Sequence, residues 1–345
     1  MHLELQQFSH RRLNQLTGEW ILVSPHRAIR PWQGQEEEIN IPNMSSYDED
    51  CYLCAGNVRA NGSKNPMYDD VFVFENDFSA IQDAAHDFQF KDGLLEAEYE
   101  RGICKVVCFS PDHSKSLALM SVKNIQKVVR TWQEEFRLIK KRDFINYVQI
   151  FENKGAIMGC SNPHPHGQIW SHHSIPNEVL KKDNQQKVYF KNHNKSLLSN
   201  YLKQELSLEE RIVFENRAFV VLVPYWAIWP FETMIIPKHH QKNISEMTLQ
   251  ETLFFAEAIS VTTKIYNVLF NCEFPYSSGI HQAPCNNEDN GYWHWHMSFY
   301  PPLLRNAAIK KFMVGYEMFA TPQRDFTPET AAEILKSLAE KLHRS

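Results

Sequence analysis

The segment Gly159–Trp170, which reads GCSNPHPHGQIW, constrains the fold of this chain more than any other stretch. Pro165 fixes its own φ angle and biases the residue before it toward extended backbone. In an extended run, side chains two apart leave the same face, so His164 and His166 are predicted to point the same way. A lone histidine usually completes a hydrogen bond in a core. A rigid pair of histidines among small, hydrogen-bonding residues instead indicates a site of chemistry.

The length and composition predict a globular chain of roughly two domains, or one large duplicated domain, because it has 345 residues. A hydrophobic fraction of 43% allows a sizeable core and argues against disorder. The formal net charge of -5 argues against a general nucleic-acid binder. No apolar run of about 18 residues predicts a membrane span. The N-terminus lacks a signal-peptide pattern, so the cytoplasm is the expected location.

The seven cysteines and the glycine pattern exclude further classes of protein. An odd number of cysteines favours a reducing compartment over a disulfide framework. The chain is poor in glycine and has neither a GxxxxGK[ST] loop nor a GxGxxG turn, which argues against P-loop and Rossmann nucleotide binding.

Both halves of the chain show the same order of patterns: strands, a helix, then a histidine-bearing strand. This order predicts an internal duplication and an α+β fold with halves 1–180 and 181–345, joined by a polar connector at 180–205. The individual elements are predicted as follows: strands at 20–23, 70–74, 103–109, 146–151, 219–224 and 232–236, a helix capped by Ser121, a helix from the capping box at Thr248 to about Leu269, and a helix from Thr327.

The CxxC motif at Cys51 and Cys54 predicts a metal site. Structural zinc takes four Cys or His ligands, and we favour His113 and His164 as the other two. A zinc ion there would lock the loop that carries His166. The rival ligands are Cys104 and Cys108, which we interpret as buried thiols on one face of a strand. A redox role is disfavoured, because no Gly-Pro lies between the two cysteines.

His166 is the candidate nucleophile, because a neutral imidazole can attack phosphorus without an extra base. Cys160 and Ser161 lie close upstream and could donate hydrogen bonds to a phosphoryl group, although Cys160 could equally serve packing. Arg27 and Arg30 offer guanidinium forks for phosphate oxygens, an arrangement that is also common on ordinary surfaces.

Taken together, these residues resemble the galactose-1-phosphate uridylyltransferase family of the histidine-triad superfamily. The resemblance implies two histidine-triad-like halves, each an antiparallel β-sheet with packed helices. It runs almost end to end and includes these strings: RRLN at 11–14, WILVSPHR at 20–27, CYLCAGN at 51–57, FENKG at 151–155, the His-Pro-His segment, FPYS at 274–277 and FMVGYEM at 312–318.

The resemblance implies a ping-pong reaction in the galactose (Leloir) pathway. His166 would take the uridylyl group from UDP-glucose, and galactose 1-phosphate would then accept it. Gln168 would hold phosphoryl oxygens but shuttle protons poorly. The nucleotide and phosphate contacts implied are Asn76, Asp77, Asn153, Gly159, Cys160 and Ser161. A homodimer with shared sites is implied by contacts across the subunit interface at Arg27, Arg30, Lys311, Phe312, Val314, Tyr316, Glu317 and Gln323.

The resemblance also bears on metals. Cys51, Cys54, His113 and His164 match the family's zinc ligands. Some members bind a second metal, iron or zinc, with a glutamate and three histidines. This sequence keeps His281 and His296 but has Lys182 and Ser298 at the other two positions, with His294 as a partial substitute. An ammonium repels a cation, so no tightly held second metal is expected.

Two alternative interpretations stay open. The chain could be a dinucleotide phosphorylase or another hexose-phosphate nucleotidyltransferase, although the segment from Lys311 to Gln323 favours the hexose-phosphate reaction. It could also be a catalytically silent protein that binds zinc or a nucleotide, which the presence of His166 and Gln168 opposes.

Overall fold

The computed structural model describes residues 4–29, 45–84, 88–286, 288–304 and 306–344. Its strands are β1 (His10–Leu13), β2 (Trp20–Val23), β3 (Phe72–Glu75), β4 (Gln89–Asp92), β5 (Leu95–Glu98), β6 (Cys104–Cys108), β7 (Tyr147–Lys154), β8 (His166–His172), β9 (Ile212–Glu215), β10 (Phe219–Leu222), β11 (Thr233–Pro237), β12 (Tyr276–His281), β13 (His296–Tyr300) and β14 (Gln323–Arg324). Its helices are α1 (Glu4–Gln7), α2 (Val122–Ile139), α3 (Asn177–His193), α4 (Leu197–Leu208), α5 (Leu249–Leu269), α6 (Tyr316–Phe319) and α7 (Pro328–Arg344).

Nine of these strands form one antiparallel sheet in the order β3-β6-β8-β7-β12-β13-β11-β10-β9. The first half of the chain supplies β3, β6, β8 and β7, and the second half supplies the other five. The two sets meet where β7 pairs with β12, for example Phe151 with Gly279. The predicted α+β fold, with antiparallel strands and packed helices, is confirmed, and the strands of the two halves join into a single sheet.

Helices α2 and α5 pack against one face of this sheet. Ser121 starts α2 by accepting a hydrogen bond from the Asn124 backbone amide at 3.2 Å, as its sequence position predicts. The apolar stripe of α2, which includes Val128 and Trp132, is buried in the same cluster as Ile150 of β7 and Ile169 of β8. Fully burying such side chains contributes roughly 1.5–3 kcal/mol each, so this layer fixes the register of the central strands.

The opposite face of the sheet is covered unevenly. Over β10 and β11, residues of β2 and α4 close it with an apolar cluster that includes Val23 and Leu198. On β8 the residues alternate: Gly167, Ile169 and Ser171 are buried, whereas the residues between them are only half-buried. The period of two in a strand therefore places His166 and Gln168 on the less covered face.

The region predicted as a polar connector, 180–205, is mostly helical, because α3 and α4 occupy it. The sequence pattern concealed α3 because two polar residues, Lys182 and Gln186, take buried positions where an amphipathic helix usually has apolar ones. The boundary between 180 and 181 falls within α3, and the division into two domains stays a prediction.

A buried ion network ties the ends of the chain to the second half. Arg12 of β1 donates to both carboxylate oxygens of Glu329 in α7, at 2.8 and 3.0 Å. Arg211 donates to Glu329 at 2.7 Å and also pairs with Glu205 at 2.9 Å. Burial would raise the pKa of Glu329, but the hydrogen bonds and charge of Arg12 lower it to about 2.

Replacing Glu329 with Gln is expected to lower the free energy of unfolding by about 3–5 kcal/mol, because it leaves the buried Arg12 guanidinium without a carboxylate and removes one of the carboxylates that pair with Arg211. Urea unfolding at neutral pH would measure the loss. Glu333→Gln, on the exposed side of the same helix, is the matched control and should change stability by less than about 0.5 kcal/mol. Equal effects of the two substitutions would contradict the expectation.

Candidate active site and metal centre

His166 is held in one orientation and one tautomer at the start of β8. Its Nδ1 lies 2.8 Å from the backbone carbonyl oxygen of His164. A carbonyl oxygen can only accept, so Nδ1 carries the proton and Nε2 keeps its lone pair. Burial lowers the pKa of His166, and the hydrogen bond to His164 opposes this shift only in part. The imidazole is therefore neutral at neutral pH, with Nε2 as a free nucleophile.

The cleft that holds His166 also contains other predicted site residues. It is lined by Asn153, Gly159, Cys160, Ser161, His166, Gly167 and Gln168. Gly159 has a φ of 78°, in the left-handed region that favours glycine, and ends the short 3-10 turn Ala156–Met158. That turn brings the chain from the end of β7 back across the cleft toward β8.

Neighbouring side chains orient the two amides in the cleft. Trp170 donates its Nε1 hydrogen to Oε1 of Gln168 at 2.9 Å, which leaves the Nε2 hydrogens of Gln168 available to a phosphoryl oxygen. Ser277 donates to Oδ1 of Asn153 at 2.7 Å and fixes that amide in the same way. Trp170 lies two residues after Gln168 on the same strand face, so the alternation could have revealed its role. Ser277 lies far along the chain, and no local signal indicates it.

Cys160 lines the cleft as a neutral thiol. Its Sγ donates to the backbone carbonyl of Asn162 at 3.0 Å, and burial raises its pKa. A protonated, hydrogen-bonded thiol is a poor nucleophile, whereas Nε2 of His166 keeps its lone pair.

Gly167 allows β8 to lie close to its neighbours. A Cβ at this position would come within 2.8 Å of the Phe109 ring and 2.9 Å of the Phe151 carbonyl oxygen. Any larger residue would push His166 and Gln168 out of place. The residue type alone does not predict this constraint.

The four predicted metal ligands do come together. One ligand atom from each of Cys51, Cys54, His113 and His164 lies within 4.8 Å of the others, and all four residues are buried. Sγ of Cys54 is 3.5 Å from Nδ1 of His113 and 3.6 Å from Nδ1 of His164. Tetrahedral zinc, with bonds of about 2.3 Å to sulfur and 2.0 Å to nitrogen, would set these atoms about 3.5 Å apart. The residues present therefore fit a metal ion such as zinc.

The surroundings of the cluster support this assignment. Nε2 of His164 donates to the Ser110 carbonyl at 2.9 Å, which leaves Nδ1 unprotonated for a metal. The Tyr68 hydroxyl donates to the Leu53 carbonyl at 2.6 Å and contacts the same Nε2 at 3.1 Å. Of the rival thiols, Cys108 packs beside the cluster and Cys104 lies 3.7 Å from the Ile81 carbonyl, so neither belongs to the group of four.

A second cavity, of about 330 Å³, gathers four predicted residues of the C-terminal segment, but neither Tyr316 nor Gln323 lines it. Parallel pairing of β14 with β2 places Arg324 opposite Val23 and brings Arg27 within 3.1 Å of Asp325. Lys311 donates to the Gln323 carbonyl at 2.6 Å and also contacts the Glu317 carboxylate. The cavity is lined by Arg27, Pro230, Leu304, Lys310, Lys311, Phe312, Val314, Glu317, Arg324, Asp325 and Phe326.

The remaining predicted contacts lie elsewhere. Asn76 and Asp77 follow β3 and line neither of these two cavities; Asp77 pairs with Arg59 at 3.3 Å. Tyr316 is exposed beside the second cavity. Arg30 lies outside the described residues.

The residues at the predicted second metal position do not fit a divalent cation. His281 and His296 are paired across β12 and β13, with ring centroids 4.8 Å apart. Among the described residues, Nε2 of His281 and both ring nitrogens of His296 lack a hydrogen-bond partner. Burial lowers the pKa of both histidine rings, and the positive charge of the buried Lys182 lowers it further. An ammonium at this position would repel a metal ion.

The suggestion that His294 could replace a missing ligand is wrong. One of its ring nitrogens lies 2.8 Å from the Ser199 hydroxyl and the other 3.0 Å from the Pro237 carbonyl, so both are already engaged. Ser298 lies on β13 between Met234 and Gly279 and offers only a hydroxyl.

Replacing Lys182 with Met is expected to stabilise the protein at pH 7 and less so as the pH rises. Burial lowers the pKa of Lys182 from 10.5 to about 7, with Glu178 and Glu232 opposing the shift. Between these values the unfolded chain binds the proton that the folded chain has released, so wild-type stability rises with pH by about 1.4 kcal/mol per unit. Lys182→Met has no ionisable group at this position, so its free energy of unfolding should not show this rise with pH. Urea unfolding from pH 6 to 10 would measure both.

Lys187→Met, on the exposed side of α3, is the control and should keep the wild-type slope. A difference between Lys182→Met and wild type that does not change with pH would contradict the burial of a charged ammonium.

No helix within the described ranges is long and apolar enough to cross a membrane. Family models described as galactose-1-phosphate uridyl transferase, N-terminal and C-terminal domain, match residues 2–176 and 181–345.

Individual relatives match over nearly the whole chain. A galactose-1-phosphate uridylyltransferase of Haemophilus influenzae is 50% identical over 98% of this chain and 96% of its own length. One of Saccharomyces cerevisiae is 44% identical over 99% of this chain and 97% of its own. A solved uridylyltransferase structure, 28% identical, superimposes with a TM-score of 0.77 over 96% of this chain and 99% of its own. The chain therefore belongs to the galactose-1-phosphate uridylyltransferase family of nucleotidyltransferases.

Proposed function

We propose that this protein transfers the uridylyl group of UDP-glucose to galactose 1-phosphate through a covalent intermediate on His166. One observation carries the proposal: Nδ1 of His166 donates a hydrogen bond to the His164 carbonyl at 2.8 Å, so Nε2 is unprotonated. The same cleft contains the oriented amide of Gln168. A nucleophile with a fixed tautomer and a donor beside it are what phosphoryl transfer requires.

In the first step, Nε2 of His166 forms a bond to the α-phosphorus while the bond from that phosphorus to the bridging oxygen breaks. Glucose 1-phosphate leaves with the electron pair of that bond. The ring becomes positively charged, and the Nδ1 hydrogen bond to the His164 carbonyl stabilises the charge. The Nε2 hydrogens of Gln168 can donate to the phosphoryl oxygens as negative charge builds on them.

In the second step, a phosphate oxygen of galactose 1-phosphate attacks the same phosphorus and the bond to Nε2 breaks. The neutral His166 and UDP-galactose result. The acceptor is already an anion, so no base has to remove a proton. Gln168 has no group that titrates near neutral pH, so water gains no general base from it and hydrolysis of the intermediate stays slow.

We propose zinc as the ion held by Cys51, Cys54, His113 and His164. Four protein ligands leave no open position, so its contribution is structural: it supplies a rigid cross-link. The residues so fixed include His164, whose carbonyl orients His166. The second position, with Lys182, takes part in no step.

We further propose a homodimer in which the cavity at Arg27 and Lys311 completes the site of the partner subunit. Within one chain, this cavity and the His166 cleft are lined by different residues. The cavity at Arg27 and Lys311 holds cationic groups suited to a sugar phosphate, and the His166 cleft holds the proposed nucleophile. Apolar side chains exposed beside the cationic cavity, including Phe312 and Phe319, favour a protein contact at this surface.

The test is the intact mass of the purified protein after mixing with UDP-glucose and no acceptor. The expected result is a uridylyl adduct that disappears on addition of galactose 1-phosphate and does not form in His166→Ala. An adduct that inorganic phosphate or ATP removes faster than galactose 1-phosphate does would favour a phosphorylase or another acceptor. No adduct in a folded, zinc-loaded sample would overturn the proposed mechanism.

A further inference from the structure

We infer that Asn162 is a positioning residue that couples the metal cluster to the orientation of His166. Asn162 is 5% exposed and lies between the cleft and the cluster. Its side chain is neither a predicted metal ligand nor part of the cleft lining. The inference rests on the proposed zinc site and on His166 as the nucleophile.

The metal end of this coupling is a hydrogen bond to sulfur. Nδ2 of Asn162 lies 3.4 Å from Sγ of Cys51. When Cys51 binds a metal as a thiolate, its sulfur can only accept, so Nδ2 must be the donor. Such a bond stabilises the thiolate and fixes its direction, as outer hydrogen bonds do for metal ligands generally.

The catalytic end uses the other atom of the same amide. Oδ1 of Asn162 accepts the backbone hydrogen of His164 at 2.9 Å. The carbonyl of that same residue accepts the Nδ1 hydrogen of His166 at 2.8 Å. An unbroken series of contacts therefore runs from Cys51 through one amide group and one residue of backbone to the ring of His166.

The chemistry of the position requires asparagine. The side chain must donate at one end and accept at the other, which Asp cannot do when ionised and Ala cannot do at all. Pro163 follows and restricts Asn162 to extended backbone, so the amide has little freedom to reach other partners. The backbone carbonyl of Asn162 also accepts the Cys160 thiol at 3.0 Å, which ties the same residue to the wall of the cleft.

Two substitutions separate the two ends. Asn162→Ala removes both contacts. Asn162→Asp keeps an acceptor for the His164 amide but replaces the donor to sulfur with a carboxylate oxygen. The matched control is Asn290→Ala. Asn290 is also buried and donates to the Pro284 carbonyl at 3.1 Å and to Oδ1 of Asn286 at 2.9 Å, but it belongs neither to the metal cluster nor to the cleft lining.

The experiment measures three quantities on full-length protein: zinc affinity by competition with a chromophoric chelator, the sulfur-to-metal charge-transfer band of the Co²⁺ form, and kcat and KM at saturating zinc. We expect both Asn162 variants to bind zinc about 10–100-fold more weakly, with a shifted Co²⁺ band. At saturating zinc, Asn162→Ala should lose at least about tenfold in kcat with little change in KM. Asn162→Asp should recover most of kcat, and Asn290→Ala should stay within about twofold of wild type.

Asn162→Ala that matches Asn290→Ala in zinc affinity, Co²⁺ band and kcat would overturn the inference while leaving the proposed function intact. Equal loss of kcat in Asn162→Ala and Asn162→Asp at saturating zinc would also overturn it, because the two ends would then not be separable. A wild-type protein that binds no zinc or forms no uridylyl adduct would overturn the proposed function and this inference together.

Discussion

His166→Ala is expected to lower kcat/KM for uridylyl transfer by about 10⁴–10⁶-fold, the range typical of removing a covalent nucleophile. The substitution deletes the imidazole whose Nε2 is unprotonated in the cleft, and the neighbouring thiol of Cys160 is protonated and hydrogen-bonded elsewhere. Zinc content and thermal stability should change little, because His166 is half-buried and is not among the four clustered ligand atoms. Steady-state kinetics and metal analysis of one preparation would measure these quantities.

The matched control is His172→Asn, at the far end of the same strand, where the ring is also half-buried. It should keep activity within about threefold of wild type. If His166→Ala kept a hundredth or more of wild-type activity, another residue would have to be the nucleophile.

Cys54→Ser should weaken zinc binding by about 100-fold or more, because roughly 10–16 kcal/mol of binding free energy is shared among four ligands in such sites. Sγ of Cys54 is the atom measured against both histidine ligands, at 3.5 and 3.6 Å, so its loss opens the cluster on two sides. Activity should fall by about 10²-fold, since displacement of a reacting group by about 1 Å has that cost. Chelator competition and steady-state kinetics would measure the two effects.

Cys108→Ala tests the rival assignment directly. Cys108 is buried in the same apolar cluster as Cys51 and Cys54, but it is not one of the four grouped ligands. The variant is expected to lose some stability through the small cavity and to keep its zinc. Loss of zinc from Cys108→Ala, with retention in Cys54→Ser, would assign the ligand set differently.

The parts of the fold that the sequence predicted correctly are those whose signals are local. The strand at Trp20–Val23, the cap at Ser121 and the capping box at Thr248 depend on neighbours within a few residues, and all three occur in the structure. Helix α3 was missed because two of its three buried residues, Lys182 and Gln186, are polar. Polar residues are buried where other parts of the chain supply their partners, and the pattern within one segment does not show those partners.

In the candidate site, too, the sequence predicted some residues and could not predict others. Spacing and residue type sufficed to group Cys51, Cys54, His113 and His164, because few other side chains bind zinc. The bonds of Ser277 to Asn153 and of Tyr68 to His164 link residues 124 and 96 positions apart, and no pattern along the chain predicts such pairs. The structure also shows that both ring nitrogens of His294 are engaged, which residue type alone could not reveal.

The pairing of β7 with β12 limits how this chain can be divided. If the first 180 residues were produced alone, residues 150–154 of β7 would lose their partners on β12 and expose their backbone amides and carbonyls. A long bare edge of this kind is a template for strand addition and aggregation. The wall of the cleft at Asn153 would also lose the hydroxyl of Ser277 that fixes its amide. A split version of this enzyme would therefore need its two fragments to meet during folding.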